Sequence, residues 1–305
     1  MLSKAKHFHM ISRRHLLKQL SLITAGTALL ADASASTFSK KRKIGIQLYT
    51  LRNEIEKDPK GVLRKLAALG FEEVENYGYN GKFFGMEPAE YKALLSELKL
   101  TAPSGHYLYG NFGNKQIPGT ILHGWDKAIE DAVAIGQQYM VLAYLMPDER
   151  TSINDYKKIA ADLNVAGKKC QDTGIQLCYH NHDFEFQEID GQLPFDILTK
   201  ETDASLVKFE LDLYWVSKAG KDPIALFNQL KGRVALWHVK DMDNTSKKNF
   251  TEVGNGVIDF PTIFKNEKLS GMKHFFVEQD ECPGSPFISV EKSITYIKAS
   301  LLKYL

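Results

Sequence analysis

Residues 207–240 read VKFELDLYWVSKAGKDPIALFNQLKGRVALWHVK, a strand, a helix and a second strand in immediate succession. The flanking runs Val207–Tyr214 and Val234–Lys240 are rich in β-branched and aromatic residues, as strands are. Between them, Asp222-Pro223 sets an N-cap acid before a proline at the first helical position. Leu226, Phe227 and Leu230 recur at helical spacing, and Gly232 stands where a left-handed C-cap is expected. Strands joined through a helix form right-handed parallel units.

The same unit repeats outward in both directions. Further strand runs are Lys43–Tyr49, Glu73–Tyr77, Leu100–His106, Tyr139–Leu145, Ile175–His182 and His274–Gln279. Helical patterns separate them, the longest being Ile121–Ile135, Ile153–Thr173 and Val290–Tyr304. Asp58-Pro59 and Gly70 bracket the helix carrying Val62, Leu63, Leu66 and Leu69. Eight strand–helix units in roughly 270 residues predict a single closed (β/α)8 barrel rather than an open doubly wound sheet. A dinucleotide fold needs a glycine-rich first turn, whereas this one reads Thr50-Leu51-Arg52-Asn53. Gly254-Asn255-Gly256 lies too late in the chain to be a phosphate loop.

The start of the chain has a different grammar. Ser12-Arg13-Arg14-His15-Leu16-Leu17-Lys18 matches a twin-arginine export signal, followed by an apolar stretch from Leu20 to Ala31 and an Ala33-Ser34-Ala35 cleavage site. That stretch is too short to span a bilayer, which needs roughly 20 apolar residues. Residues 1–35 are therefore expected to be a cleavable signal peptide, 36–305 one barrel domain, and the mature protein periplasmic with no stable membrane anchor. The formal charge of +2 becomes −2 once residues 1–35 are gone. A near-neutral chain lacks the basic footprint of a nucleic-acid binder, and the run Lys40-Lys41-Arg42-Lys43 reads as a solvated arm before the first strand. Cys170, Cys178 and Cys282 are odd in number and irregular in spacing, so they form no disulfide framework.

Function in a barrel collects at the C-terminal strand ends. Those ends here carry Glu75, His106, His180 with His182, Asp212, His238 with Lys240, and Glu278. Residues two apart on a strand share a face, which pairs His180 with His182, Glu210 with Asp212 and His238 with Lys240. Leu177, Leu211, Val239 and Val277 then pack outward. Imidazoles and carboxylates together suit one divalent ion, Mn²⁺, Co²⁺, Zn²⁺ or Mg²⁺. Each residue also has a plainer reading: Asp212 as a cap for the following loop, Glu278 as a lysine's partner, His238 as a donor to Asp241, and Glu75 as a structural ion pair.

At these residues the chain resembles the sugar isomerase/epimerase superfamily of xylose-isomerase-like TIM barrels, which includes inosose dehydratases and ketose 3-epimerases. The matching stretches are FEEVENYG (71–78), YHNHDFEF (179–186), ELDLYW (210–215), WHVKDMD (237–243), VGNGVIDFPTIF (253–264) and FFVEQD (275–280). The resemblance implies metal ligation by Asp212, His238 and Glu278. His180 becomes the fourth ligand where many members carry a strand-five glutamate. That glutamate is one of two acid/base groups in the epimerases, so a two-glutamate mechanism does not carry over. The resemblance implies a sugar substrate, and because an exported enzyme meets few sugar phosphates and no phosphate-gripping glycine loop is evident, a non-phosphorylated sugar, keto-sugar or glycoside is expected. Its chemistry would be proton abstraction next to the carbonyl through a metal-stabilised enediolate, leading to isomerisation, epimerisation or β-elimination. Glu278 is the first choice for moving the proton, with His182 and Lys240 as partners. Glu75, His106, Glu185 and Asp241 are expected to contact substrate. Two readings of other classes compete: an endonuclease-IV-like phosphodiesterase, opposed by the mature charge, and a non-catalytic periplasmic carbohydrate binder, opposed by the retained ligand set.

Overall fold

The computed structural model describes residues 42–113 and 115–305, so the export segment read at 1–35 lies outside the described residues. Eight parallel strands close on themselves: β1 (Gly45–Gln47), β2 (Glu73–Asn76), β3 (Thr101–Leu108), β4 (Tyr139–Tyr144), β5 (Gln176–His180), β6 (Val207–Asp212), β7 (Val234–Val239) and, after an excursion, β10 (His274–Val277). The excursion holds a short antiparallel ribbon of β8 (Asp241–Met242) and β9 (Phe250–Thr251). Seven barrel strands fall inside the runs read from sequence, and β3 extends two residues past His106.

Local chemistry sets the helix ends. Asp58 accepts a hydrogen bond from the Gly61 N–H at 2.8 Å to open the helix Pro59–Leu69, which Gly70 closes at φ 93°. Asp222 likewise accepts from the Ile224 N–H ahead of Pro223–Leu230. That helix ends one residue earlier than expected, with Lys231 at φ 43° taking the cap and Gly232, left-handed as expected, following at φ 80°. The helix read from Ile121 starts at Trp125, because the Ile121 and Leu122 N–H groups donate to the Leu108 and Tyr109 carbonyls instead. The last helix opens four residues early, at Pro286. The basic run is no free arm over its described half. Arg42 donates to the Lys273 carbonyl, and Lys43 lies 3.7 Å from Glu73.

Alternation divides the core into two shells. Leu177, Leu211, Val239 and Val277 are buried under the helices, as the parity reading requires. Val141, Cys178, Leu236 and Phe276 form a separate apolar plug within the barrel. The seam between β1 and β10 pairs Gly45 with Phe276. A Cβ on Gly45 would run into the Phe276 ring, so only glycine lets these strands meet. Among the described residues no helix is long and apolar enough to cross a membrane.

Candidate metal centre at the barrel mouth

Two residues beyond the plug on β5, β7 and β10 come His180, His238 and Glu278, and the same parity sends them inward. Register sets them beside their neighbours: His180 pairs across with Glu210, and Asp212 with His238. The result is two polar layers, both buried.

The lower layer is built on Glu75. Gln47 and Ser104 donate to its two oxygens at 2.8 and 2.5 Å. His238 Nε2 lies 2.5 Å from Glu75 Oε2, and His106 Nε2 lies 2.7 Å from Glu210 Oε2. Burial opposes charge on Glu75, but the imidazoles of His106 and His238 outweigh it and hold the carboxyl well below its ordinary range. Glu210 is pushed up instead, by burial and by the Glu75 charge. Burial works against a proton on His106, yet Glu75 and Glu210 raise it to about 9.

The upper layer surrounds the Lys240 ammonium. Its Nζ lies 2.9 Å from Asp212 Oδ2, 2.6 Å from Glu278 Oε2 and 3.1 Å from Asp280 Oδ1. The lower carboxylates orient the histidines toward this layer. His180 gives Nδ1 to Glu210 at 2.9 Å, which leaves Nε2 3.6 Å from Asp212 Oδ2. His238, held at Nε2 by Glu75, turns Nδ1 to Glu278 at 2.8 Å. A carboxylate behind each imidazole is how metal-binding histidines are commonly fixed. Burial and the neighbouring His238 depress His180 well below the usual histidine range, which keeps it a neutral donor. Burial acts against charge on His238 too, but Glu210 and Glu278 raise it well above that range.

Among the described residues two donor sets each keep their ligand atoms within 4.8 Å: Asp212, His238 and Glu278 form one, and His106, His180, Glu210 and His238 the other, so His180 is grouped with Glu210 rather than with Asp212 and Glu278. Asp212 Oδ1 caps the next helix through the Tyr214 and Trp215 N–H groups, while Oδ2 faces the Lys240 ammonium. Glu210 Oε1 is buried and has no hydrogen-bond partner. Buried carboxylates and imidazoles from different strands meet here, with Glu210 Oε1 left without a partner, and these residues fit a divalent cation. The plainer readings of Asp212 as a cap and Glu278 as a lysine's partner therefore hold alongside the donor geometry.

Not every expected residue joins this cluster. Asp241, read as a substrate contact, spends both oxygens on the backbone N–H groups of Met242, Gly254, Gly256 and Ile258. The glycines of Gly254-Asn255-Gly256 are explained by that grip. Gly254 has φ 89°, and a Cβ on Gly256 would strike the Asp241 carboxylate. Glu185 is also turned away from any substrate, accepting from the Tyr179 hydroxyl at 2.7 Å and the His182 N–H at 2.8 Å. His182 stands on an aromatic wall with Tyr144, Phe184 and Trp215, its Nδ1 unpartnered. Burial and nearby Lys240 hold it well below the usual histidine range. Gln47, Ser104 and Asp280 escaped the sequence reading because single polar residues at strand ends carry no spacing signal. Glu210 was legible through its shared face with Asp212, although no role could be drawn from that.

The fold and this mouth define the class: the chain belongs to the xylose isomerase-like TIM barrel family, whose profile matches residues 63–286. It is 29% identical over 163 residues to an inosose dehydratase of Clostridium beijerinckii, a match spanning 47% of this chain and 54%, about half, of that relative. An inosose dehydratase of Geobacillus kaustophilus is 23% identical over 273 residues, covering 77% of this chain and 85% of its own. A crystal structure of a sugar phosphate isomerase/epimerase from Parabacteroides distasonis superposes with a TM-score of 0.75 at 27% identity, over 89% of this chain and 99% of that one.

Proposed function

We propose that this protein is an exported, divalent-metal-dependent enzyme that removes the proton next to the carbonyl of a non-phosphorylated keto-sugar. The observation that carries the reading is the buried upper layer, where Asp212, His238 and Glu278 each offer one donor atom within 4.8 Å of the others and His180 Nε2 lies 3.6 Å from Asp212 Oδ2. His180, Asp212, His238 and Glu278 would hold the ion, which supplies positive charge against the oxygen that turns anionic as the proton leaves. Glu278, kept ionised by Lys240 and His238 against the cost of burial, is the group suited to accept that proton. Lys240, its charge secured by Asp212 and Asp280 despite burial, donates hydrogen bonds to a substrate oxygen.

Two outcomes diverge once the proton has left. Isomerisation or epimerisation needs a second group to return the proton, and neutral His182 with its free Nδ1 suits that role. Elimination of a β-hydroxyl needs an acid beside the base, and the Lys240 ammonium lies 2.6 Å from Glu278. The kinship with inosose dehydratases supports the second outcome. Turnover of a keto-sugar panel in D₂O tests the shared step, with inosose included for elimination. Deuterium should enter the carbon beside the carbonyl only with metal present, and Glu278→Gln should slow turnover by about a hundredfold or more. Turnover of alpha-deuterated substrate with no primary isotope effect and no washout would overturn the proposal.

A further inference from the structure

We infer that Asp280 is a positioning residue for Lys240: it takes over the ammonium when an ion claims Asp212 and Glu278, and so sets how tightly the ion binds. This inference rests on the metal reading above. The carboxylate oxygens that face the histidines of the upper layer also face Lys240. Asp212 Oδ2 lies 3.6 Å from His180 Nε2 and 2.9 Å from Lys240 Nζ. Glu278 Oε2 lies 2.8 Å from His238 Nδ1 and 2.6 Å from the same Nζ. An ion drawn to these oxygens meets an ammonium already on them. Zinc–oxygen contacts are about 2 Å, so the two cations would stand within roughly 5 Å of each other. Little water screens them there, because the side chains of Lys240, Asp212 and Glu278 are at most 5% exposed. The ammonium has to yield.

Of the three carboxylates around Lys240, Asp280 alone lies outside both donor sets. Its Oδ1 and Oδ2 accept from Nζ at 3.1 and 3.5 Å, and the carboxyl makes no other hydrogen bond among the described residues. Asp212 Oδ2 instead meets Nζ as a charge alone, without hydrogen-bond geometry. The Asp280 side chain is 21% exposed, which puts it on the wetter side of the cluster. The Trp215 and Phe250 rings, 6.0 and 5.9 Å from Nζ, offer the same ammonium their faces. Asp280 follows Glu278 by two residues, so the handover is short and leaves the ammonium at the mouth.

Zinc titrated calorimetrically into the full chain reads the handover from binding alone. Lys240→Met removes the competing cation and should tighten zinc binding by about tenfold or more. Asp280→Asn leaves the displaced ammonium without a charged partner and should weaken zinc binding by about tenfold. In the Lys240→Met background the same change should cost no more than about twofold, since no ammonium needs a partner. Equal losses in both backgrounds would mean that Asp280 acts through its own charge or through the fold. That result would overturn the proposal and leave the metal reading intact, and so would zinc binding unchanged or weakened by Lys240→Met. Where a variant does not fold, a crystal structure of the unsubstituted chain with zinc decides. Nζ should rest on Asp280 and stand more than about 4 Å from Asp212 Oδ2 and Glu278 Oε2. An ammonium still touching either would overturn the proposal. Coupling of Asp280 to Lys240 as expected, beside absent deuterium exchange from keto-sugars, would sink the chemistry and leave the handover standing. Zinc bound by neither the parent nor Lys240→Met would end both readings.

Discussion

His238 touches both polar layers, with Glu75 at one ring nitrogen and Glu278 at the other. A proton held between two carboxylates is the competitor any cation must displace, so metal uptake should release protons and tighten as pH rises. Zinc titrations in buffers of different ionisation enthalpy should show that release, and affinity independent of pH would count against it. Elemental analysis of His238→Ala should find most of the roughly one ion per chain missing. Full metal retention would remove His238 from the ligand set. Glu185 makes an opposite kind of prediction. Burial raises its carboxyl to about 7, so the folded state grips this proton more tightly than the unfolded chain does. Stability is thus lost as pH climbs from the ordinary glutamate range through about 7. Glu185→Gln keeps an acceptor for the His182 N–H, offers its amide N–H to the Tyr179 oxygen in place of accepting from that hydroxyl, and carries no charge. The variant should be more stable than the parent at pH 8 by about 2–3 kcal/mol, with the gain gone near pH 4 in denaturant melts. A gain of equal size at both values would show that Glu185 does not titrate in this way.

The ribbon of β8 and β9 and the loop after it show what one side chain can do for a whole segment. Asp241 is the only anchor described for four N–H groups between Met242 and Ile258, and its removal leaves them unpaired in a part-buried loop. Asp241→Ala should cost about 2–4 kcal/mol and raise amide exchange at Gly254 and Gly256 first. Uniform exchange across the barrel would mean that the loop is held by something else. The strands and most helices were readable beforehand, since apolar spacing and capping residues such as Asp58 and Asp222 act locally. The loop was not. Gly254-Asn255-Gly256 looks like an empty phosphate motif until Asp241 is seen inside it. Nor does local spacing reveal that residues 121 and 122 are bound to the end of β3.

For the whole molecule, the sequence-derived list of strand-end groups largely coincides with the mouth. It fails where a side chain has an alternative partner close by, as at Glu185 and Asp241. The hidden lower layer, with Gln47 and Ser104 steadying Glu75, depends on contacts across the barrel that alternation alone does not fix. The export reading also belongs to this scale. Changing Arg13 and Arg14 together to lysine should leave the unprocessed chain in the cytoplasm, and undiminished periplasmic product would end the twin-arginine assignment.

The seam at Gly45 has a temporal meaning. Glu75 and Glu278 sit near opposite ends of the barrel sequence, and the pairing of β1 with β10 joins them through one circle of strands. A nascent chain still lacking β10 lacks Glu278, the second carboxylate that faces His238. If the proposed ion is held by Asp212, His238 and Glu278, its capture would wait for the circle to close, and an ion-sensitive probe added during refolding would serve as a clock for closure.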